Sequence, residues 1–265
     1  MRAQRTSRGL LAAALGALLL GTGTVAQAVP VDVELALLVD VSGSVSSTEY
    51  NLQKQGYINA FQDPGVQSLI DSLPNGVAVT YIEWSSGNEQ AQLVPWTLLT
   101  DAASANAFAN AIAGTTRAFS GLTAPGSAIN YASPLFMQNG YEGARWVIDI
   151  SGDGSENDGD DTKTARDAFL ALTPSGEGSS IAINGLPILG SEANLDTWYQ
   201  NNIVGGPNSF LIAASSFNDF QDAVLRKIRR EIQGGGGQPV PEPAGLALMG
   251  LGLAGLALRR RARSA

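Results

Sequence analysis

The segment Val33-Glu-Leu-Ala-Leu-Leu-Val39 is apolar throughout after its first two residues, the pattern of a central parallel strand covered on both faces. Thr48 to Gln62 reads as a helix ended by Asp63-Pro64-Gly65, and Val77 to Trp84 as the next strand. Ala91 to Leu98, reached through a Ser85-Ser-Gly-Asn88 turn, can pair antiparallel with it at a sheet edge, where Pro95 is tolerated. Asp101 can cap an Ala-rich helix to Ile112, the Gly121 to Gly126 loop intervenes, and Ser127 to Met137 makes another helix. Then come a strand at Arg145 to Ile150, a helix at Thr162 to Leu172, a strand at Ser180 to Ile183, a helix at Leu195 to Asn201, a strand at Phe210 to Ala213 and a closing helix at Phe217 to Ile232. Strands alternating with helices predict an α/β fold, doubly wound, with a mostly parallel central sheet, one antiparallel edge strand and helices on both faces.

The two ends follow other patterns. Residues 1–28 carry Arg2, Arg5 and Arg8, an Ala/Leu-rich run from Leu10 to Leu20, and the small-residue close Ala26-Gln27-Ala28, which predicts a cleaved secretory signal peptide. The run falls short of the roughly 20 apolar residues that span a bilayer, which disfavours a retained anchor. Residues 234–239 form a Gly-rich linker, and residues 240–265 combine Val240-Pro-Glu-Pro243, the apolar run Ala244 to Leu258 and an arginine cluster from Arg259 to Arg263. This tail resembles the PEP-CTERM sorting signal, which implies recognition by an exosortase, transient membrane association through the apolar helix, and export to the cell envelope or extracellular matrix of a Gram-negative bacterium. The domain between the ends is expected at residues 29–233, a length that suits one core.

Charge and composition exclude several chemistries. Of the 16 basic residues three lie in the leader and four in the tail, and of the 24 acids one is in the tail, so nine bases face 23 acids, a formal charge of −14. Such a surface repels phosphate backbones and argues against nucleic-acid binding. With no Cys and no His there is no disulfide, no His-based hydrolase triad and no ordinary structural zinc site.

At the end of the first strand, Asp40-Val-Ser42-Gly-Ser44 places a carboxylate and two hydroxyls at a spacing of two. Three oxygens converging at a strand's carboxyl end suit a hard cation, although Mg²⁺ prefers about six oxygens, so the remainder must come from elsewhere. The alternative is a plain turn and helix cap. Thr123 in the Gly121 to Gly126 loop and Asp153 in Ser151-Gly-Asp153-Gly154 are the candidates to complete the set. Asp-x-Ser-x-Ser, a loop Thr and a strand-end Asp-Gly, in that order, resemble the metal-ion-dependent adhesion site of the von Willebrand factor type A family over roughly Val31 to Gln233. The resemblance implies that Asp40, Ser42, Ser44, Thr123 and Asp153 surround one divalent cation, Mg²⁺ before Mn²⁺ or Ca²⁺, whose open position accepts an Asp or Glu carboxylate from a partner protein. The family usually places Thr or Ser directly before the last Asp-Gly, whereas Gly152 intervenes here and leaves Asp149 as a rival ligand; Asp153 is preferred because Asp149 lies inside the strand. Together with Tyr81-Ile-Glu83-Trp84-Ser85 and Ile183-Asn-Gly-Leu-Pro-Ile188, the variant resembles a bacterial subfamily of uncharacterised domains related to the type A domain.

Other constellations are weaker. The acidic loop from Asp153 to Asp161 has Asp158 where an EF-hand needs Gly and Thr164 where it needs Glu, so it reads as a solvated loop and helix start, with a second calcium site as the minor alternative. Glu83 beside Trp84 is the best lone acid/base candidate, but a glycosidase needs a partner carboxylate about 5–9.5 Å away. No Gly-rich turn carries the Lys-Ser/Thr pair of a phosphate-binding loop. The expectation is a non-enzymatic, exported, metal-dependent interaction module; a metal-independent matrix protein is the alternative, and an envelope glycan hydrolase the weaker one.

Overall fold

The computed structural model describes residues 28–174 and 179–234. The leader and most of the linker and tail lie outside them. Strand β1 (Val29–Val31) leads into β2 (Val33–Asp40), followed by α1 (Ser47–Gln62), α2 (Pro64–Asp71), β3 (Val77–Trp84), β4 (Gln90–Leu99) and α3 (Ala102–Ala113). Then come α4 (Pro125–Ala132), β5 (Tyr141–Gly143), β6 (Arg145–Gly152), α5 (Thr162–Leu170), β7 (Ser180–Pro187), α6 (Leu195–Asn202) and α7 (Phe220–Gln233). The main sheet has the order β4-β3-β2-β6-β7, parallel except for β4, the expected antiparallel edge. Pro95 is exposed on β4, where its missing N–H costs no ladder bond.

Side-chain alternation divides the core between the two faces of the sheet. Along β2, Val33, Leu35, Leu37 and Val39 pack with Tyr57 and Phe61 of α1, Phe108 of α3, and Val224 and Ile228 of α7. Ala36 and Leu38 point the other way, to Ile129 of α4, Phe169 of α5 and Tyr199 of α6. Every residue of β2 is buried, including Glu34 and Asp40 at either end of its apolar stretch Leu35 to Val39.

Several local expectations are corrected. Asp63-Pro64-Gly65 ends α1 but also starts α2: Asp63 Oδ1 accepts from Gly65 N and Val66 N, and Pro64 takes the first helical position, where its missing N–H is harmless. The helix expected at Ser127 to Met137 is α4 from Pro125, tightening to a 3₁₀ turn at Ser133–Met137, where Pro134 cannot donate to the α-helical ladder. The strand expected at Ser180 to Ile183 runs on to Pro187. Phe210 to Ala213 does not form a full strand: isolated bridges join Leu211 to Gly185 of β7 and Ala214, the residue after the segment, to Ile188 just beyond β7, and Phe210 N donates to the Asn184 side chain rather than to a main-chain ladder. The short parallel β1–β5 pair was not expected.

One buried polar cluster ties α7 to the sheet. Alternation sends Asp149 of β6 to the α1/α7 face, where Lys227 Nζ lies 2.6 Å from Asp149 Oδ1 and 2.9 Å from Glu231 Oε1, all three side chains fully buried. Asn184 Nδ2 of β7 donates to the same Glu231 oxygen at 3.0 Å. One ammonium faces two carboxylates, and burial followed by the Asp149 charge pushes Glu231 above the usual carboxylate range. Removing the cation from such a cluster leaves uncompensated charge in the core. Lys227→Met should therefore lower unfolding stability by about 3–5 kcal/mol in urea titrations; an unchanged midpoint would mean that the buried ammonium contributes nothing net to stability.

Candidate metal centre

The candidate ligands lie at the carboxyl ends of β2 and β6, two adjacent central strands. The chain leaves β2 in a tight turn in which Asp40 Oδ1 accepts from Ser42 N at 2.7 Å, and Val45 N donates to Ser42 O at 3.0 Å. Ser46 then caps α1 in a reciprocal box with Glu49, Ser46 N donating to Glu49 Oε2 at 2.8 Å and Glu49 N to Ser46 Oγ at 3.3 Å. Ser42 Oγ and Ser44 Oγ are 3.1 Å apart, and Ser44 Oγ donates to Asp153 Oδ1 at 2.7 Å. Four of the five predicted residues thus form one continuous polar chain from β2 to β6.

Thr123, the fifth, sits in the neighbouring loop, and no hydrogen bond joins it to these four residues. Its N–H donates to Asn157 Oδ1 at 2.8 Å and its carbonyl accepts from Asn157 N at 2.9 Å, so its backbone is locked to the loop after Asp153. Its side chain lies near the Asp153-Gly154 turn, with Oγ1 and Cγ2 each 3.8 Å from where a Cβ on Gly154 would lie. Strand β6 runs through Gly152 and delivers Asp153 directly after its last residue. Ser191 Oγ holds the Asp153 carbonyl at 2.6 Å. Asp149, the rival acid, is committed to Lys227 on the opposite face.

Residues without a sequence motif shape the site. The Arg117 guanidinium donates to Val41 O and Ser42 O, each at 2.8 Å, and Gly43 N donates to Gly121 O at 2.7 Å, joining the first turn to the Thr123 loop. Gln53 Nε2 of α1 donates to Asp40 O at 3.1 Å. No spacing rule points to Arg117 or Gln53, because each contact spans distant parts of the chain.

Among the described residues no group of three or more His, Cys, Asp or Glu side chains converges, so any ion here would depend on hydroxyl oxygens. The donor set nonetheless fits a hard cation: two carboxylates and three hydroxyls, all oxygen, with Asp40 Oδ2 buried and lacking a hydrogen-bond partner. Burial is the main cause that pushes Asp40 up to about 7, and Asp153 is raised chiefly for the same reason. Beside Ser44 and Asp153 opens a groove of about 520 Å³ whose lining includes Glu49, Leu52, Leu189 and Phe217.

The rival acids have structural partners. Glu83 is fully buried, with Oε1 accepting from Tyr50 Oη at 2.9 Å and Oε2 from Ala118 N at 2.8 Å, so neither oxygen is presented to a substrate. In the acidic loop, Glu156 accepts from Thr162 N and Oγ1, Asp158 from Gly87 N, Asp160 from Asn130 Nδ2, and Asp161 caps α5 through Thr164 N. Asp158 and Asp160 fasten the loop to its neighbours, and Glu156 and Asp161 hold the start of α5.

Comparison with known proteins places this architecture. Residues 30–236 match the family described as Protein of unknown function (DUF1194), which is related to the type A domain. The chain belongs to this DUF1194 family. Residues 239–261 match the PEP-CTERM protein-sorting motif, which marks an exported protein and implies exosortase processing. No curated protein sequence matches the chain. Among solved structures it is similar to proximal thread matrix protein 1 from the mussel byssus, at a TM-score of 0.52 and 16 % identity over 77 % of this chain and 48 % of that one. A further form of that byssus protein, with a zinc-occupied MIDAS motif, matches at 0.51 and 17 % identity over 78 % and 47 %. The pilus adhesin SpaC from Lactobacillus rhamnosus GG, in its open conformation, matches at 0.50 and 17 % identity over 76 % and 30 %. The chain therefore spans about half or less of the length of these neighbours, and the likeness shows a shared type A fold.

The raised carboxyls give stability a sign with pH. The unfolded chain releases the Asp40 proton near its ordinary value of 3.8, whereas the folded domain keeps it to about 7. The folded state therefore binds more protons across that window and loses stability as pH rises through it. With chelator present, the full-length chain should melt lower at about pH 8 than at about pH 5, and Asp40→Asn should flatten the fall. A wild-type slope identical to that of Asp40→Asn would show that Asp40 is already ionised at the acidic end.

Proposed function

We propose that this DUF1194 protein is a non-enzymatic, metal-ion-dependent interaction module of the envelope or extracellular matrix, in which Asp40, Ser42, Ser44, Thr123 and Asp153 hold a divalent cation that binds a carboxylate of a partner protein. The observation that carries the reading is the unbroken polar chain Asp40–Ser42–Ser44–Asp153 at the strand ends, with Ser44 exposed and a groove beside it. Hydroxyl ligands contribute oxygens without charge, so a dication held by two carboxylates retains polarising power at its open position. Mg²⁺ fits the small oxygen set best, with Mn²⁺ and Ca²⁺ as the related choices. An Asp or Glu from the partner would complete the shell, and the groove lined by Leu52, Leu189 and Phe217 would receive the partner's neighbouring residues. The type A fold shared with a byssus matrix protein and a pilus adhesin, and the PEP-CTERM motif, support a role outside the cell. We place that role in a Gram-negative envelope or matrix, with brief membrane association through the tail before processing.

One observation favours a second reading. The Ser44–Asp153 hydrogen bond closes the ligand set without any ion, as a metal-independent structural matrix protein of the same fold would need. Calorimetric titration of Mg²⁺ and Mn²⁺ into the chelator-stripped full-length chain separates the two. Saturable one-site binding that Asp40→Ala and Asp153→Ala each abolish is the expected outcome. Absence of binding to the wild-type chain, or association with matrix that persists in chelator, would favour the structural role.

A further inference from the structure

Two buried polar atoms near the candidate ligands have no hydrogen-bond partner: Asp40 Oδ2 and Tyr199 Oη. Both residues are fully buried. They converge on one point, since a Cβ built on Gly152 would lie 2.7 Å from each. Tyr199 comes from α6, far from Asp40 in sequence, and reaches this point across the face of the sheet that Gly152 and Gly185 leave clear. Its ring passes over Gly185 of β7, where a Cβ would stand 3.0 Å from Tyr199 Cδ1, and its hydroxyl ends over Gly152 of β6. Gly185 pairs with Ile150 two residues before Gly152, so the two gaps lie in line on adjacent strands. The residue that interrupts the Ser-Asp-Gly order and the glycine within Ile183-Asn-Gly-Leu-Pro-Ile188 thus serve one tyrosine.

A phenol is a hydrogen-bond donor, a carboxylate oxygen an acceptor, and unpartnered buried polar groups are uncommon enough to require an account. Packing alone would be served as well by phenylalanine, which leaves no buried hydroxyl to satisfy. We propose that Tyr199 is a positioning residue of the cation site: its hydroxyl holds Asp40 Oδ2 through one buried water in the space that Gly152 keeps open. The bond stabilises a carboxylate that must be ionised and correctly turned, while fully buried, to meet a hard dication. Outer groups that orient metal ligands typically change affinity 10–100-fold when removed.

This inference rests on the metal-dependent reading above, and its test separates the two. The full-length chain, Tyr199→Phe and Gly152→Ala are titrated with Mg²⁺ and Mn²⁺ by calorimetry, and each is melted in chelator. Tyr199→Phe should weaken cation binding about 10-fold or more, while its melting temperature in chelator stays level or rises, because an unpartnered buried hydroxyl is gone. Gly152→Ala should also lose affinity, its methyl displacing the Asp40 carboxylate; if it does not fold, Tyr199→Phe alone decides. Unchanged affinity in Tyr199→Phe, with or without a fall in melting temperature, would reduce Tyr199 to a packing residue while the metal reading stands. No cation binding by the wild-type chain would overturn both.

Discussion

The two-residue pleat of β6 is the constraint on which the rest of this molecule is arranged. Its odd positions, Val147, Asp149 and Ser151, face α1 and α7; its even positions, Trp146, Ile148, Ile150 and Gly152, face α4, α5 and α6. Asp149 thereby meets Lys227, and Ser151 Oγ comes within 3.2 Å of Tyr57 Oη. Gly152 falls beside Asp40 of the neighbouring strand, and Asp153 emerges at the rim. A slip of one residue would send Asp149 into the apolar face and remove the clearance that Asp40 requires.

The rim is stiffened by backbone-directed side chains rather than by ion pairs. Arg117 spends its charge on the Val41 and Ser42 carbonyls, stacks near the Tyr50 ring at 5.7 Å, and leaves the Asp40 carboxylate without a direct cationic partner. The loop acids likewise bind N–H groups: Asp158 ties its loop to Gly87, while Glu156 and Asp161 fix the start of α5.

Most of the architecture was legible because the strongest signals were local. An eight-residue strand buried on both faces has little choice but to read as apolar, and the Ala-rich α3 announces itself through its Asp101 cap. The errors fell where tertiary contacts outvote local pattern. Asp63 both stops one helix and starts the next, which the Pro-Gly signal alone cannot distinguish from a turn. Phe210 to Ala213 has strand composition, but the Asn184 side chain takes the Phe210 N–H that a strand would use. Lys227 and Glu231 lie on the apolar stripe of α7 defined by Phe220, Val224 and Ile228, but their pairing with Asp149 depends on how α7 packs on the sheet.

By itself the sequence determined most of the order of strands and helices, the PEP-CTERM sorting motif, and the set of oxygen-bearing residues at the strand ends, because spacing, composition and hydrophobic period are properties of neighbours along the chain. Only the tertiary structure decided which of those oxygens meet. The Ser44–Asp153 bond spans 109 residues, and the approach of Tyr199 to Asp40 depends on two glycines in adjacent strands. Such contacts follow from register and facing across the sheet, quantities set by packing both layers of helices at once.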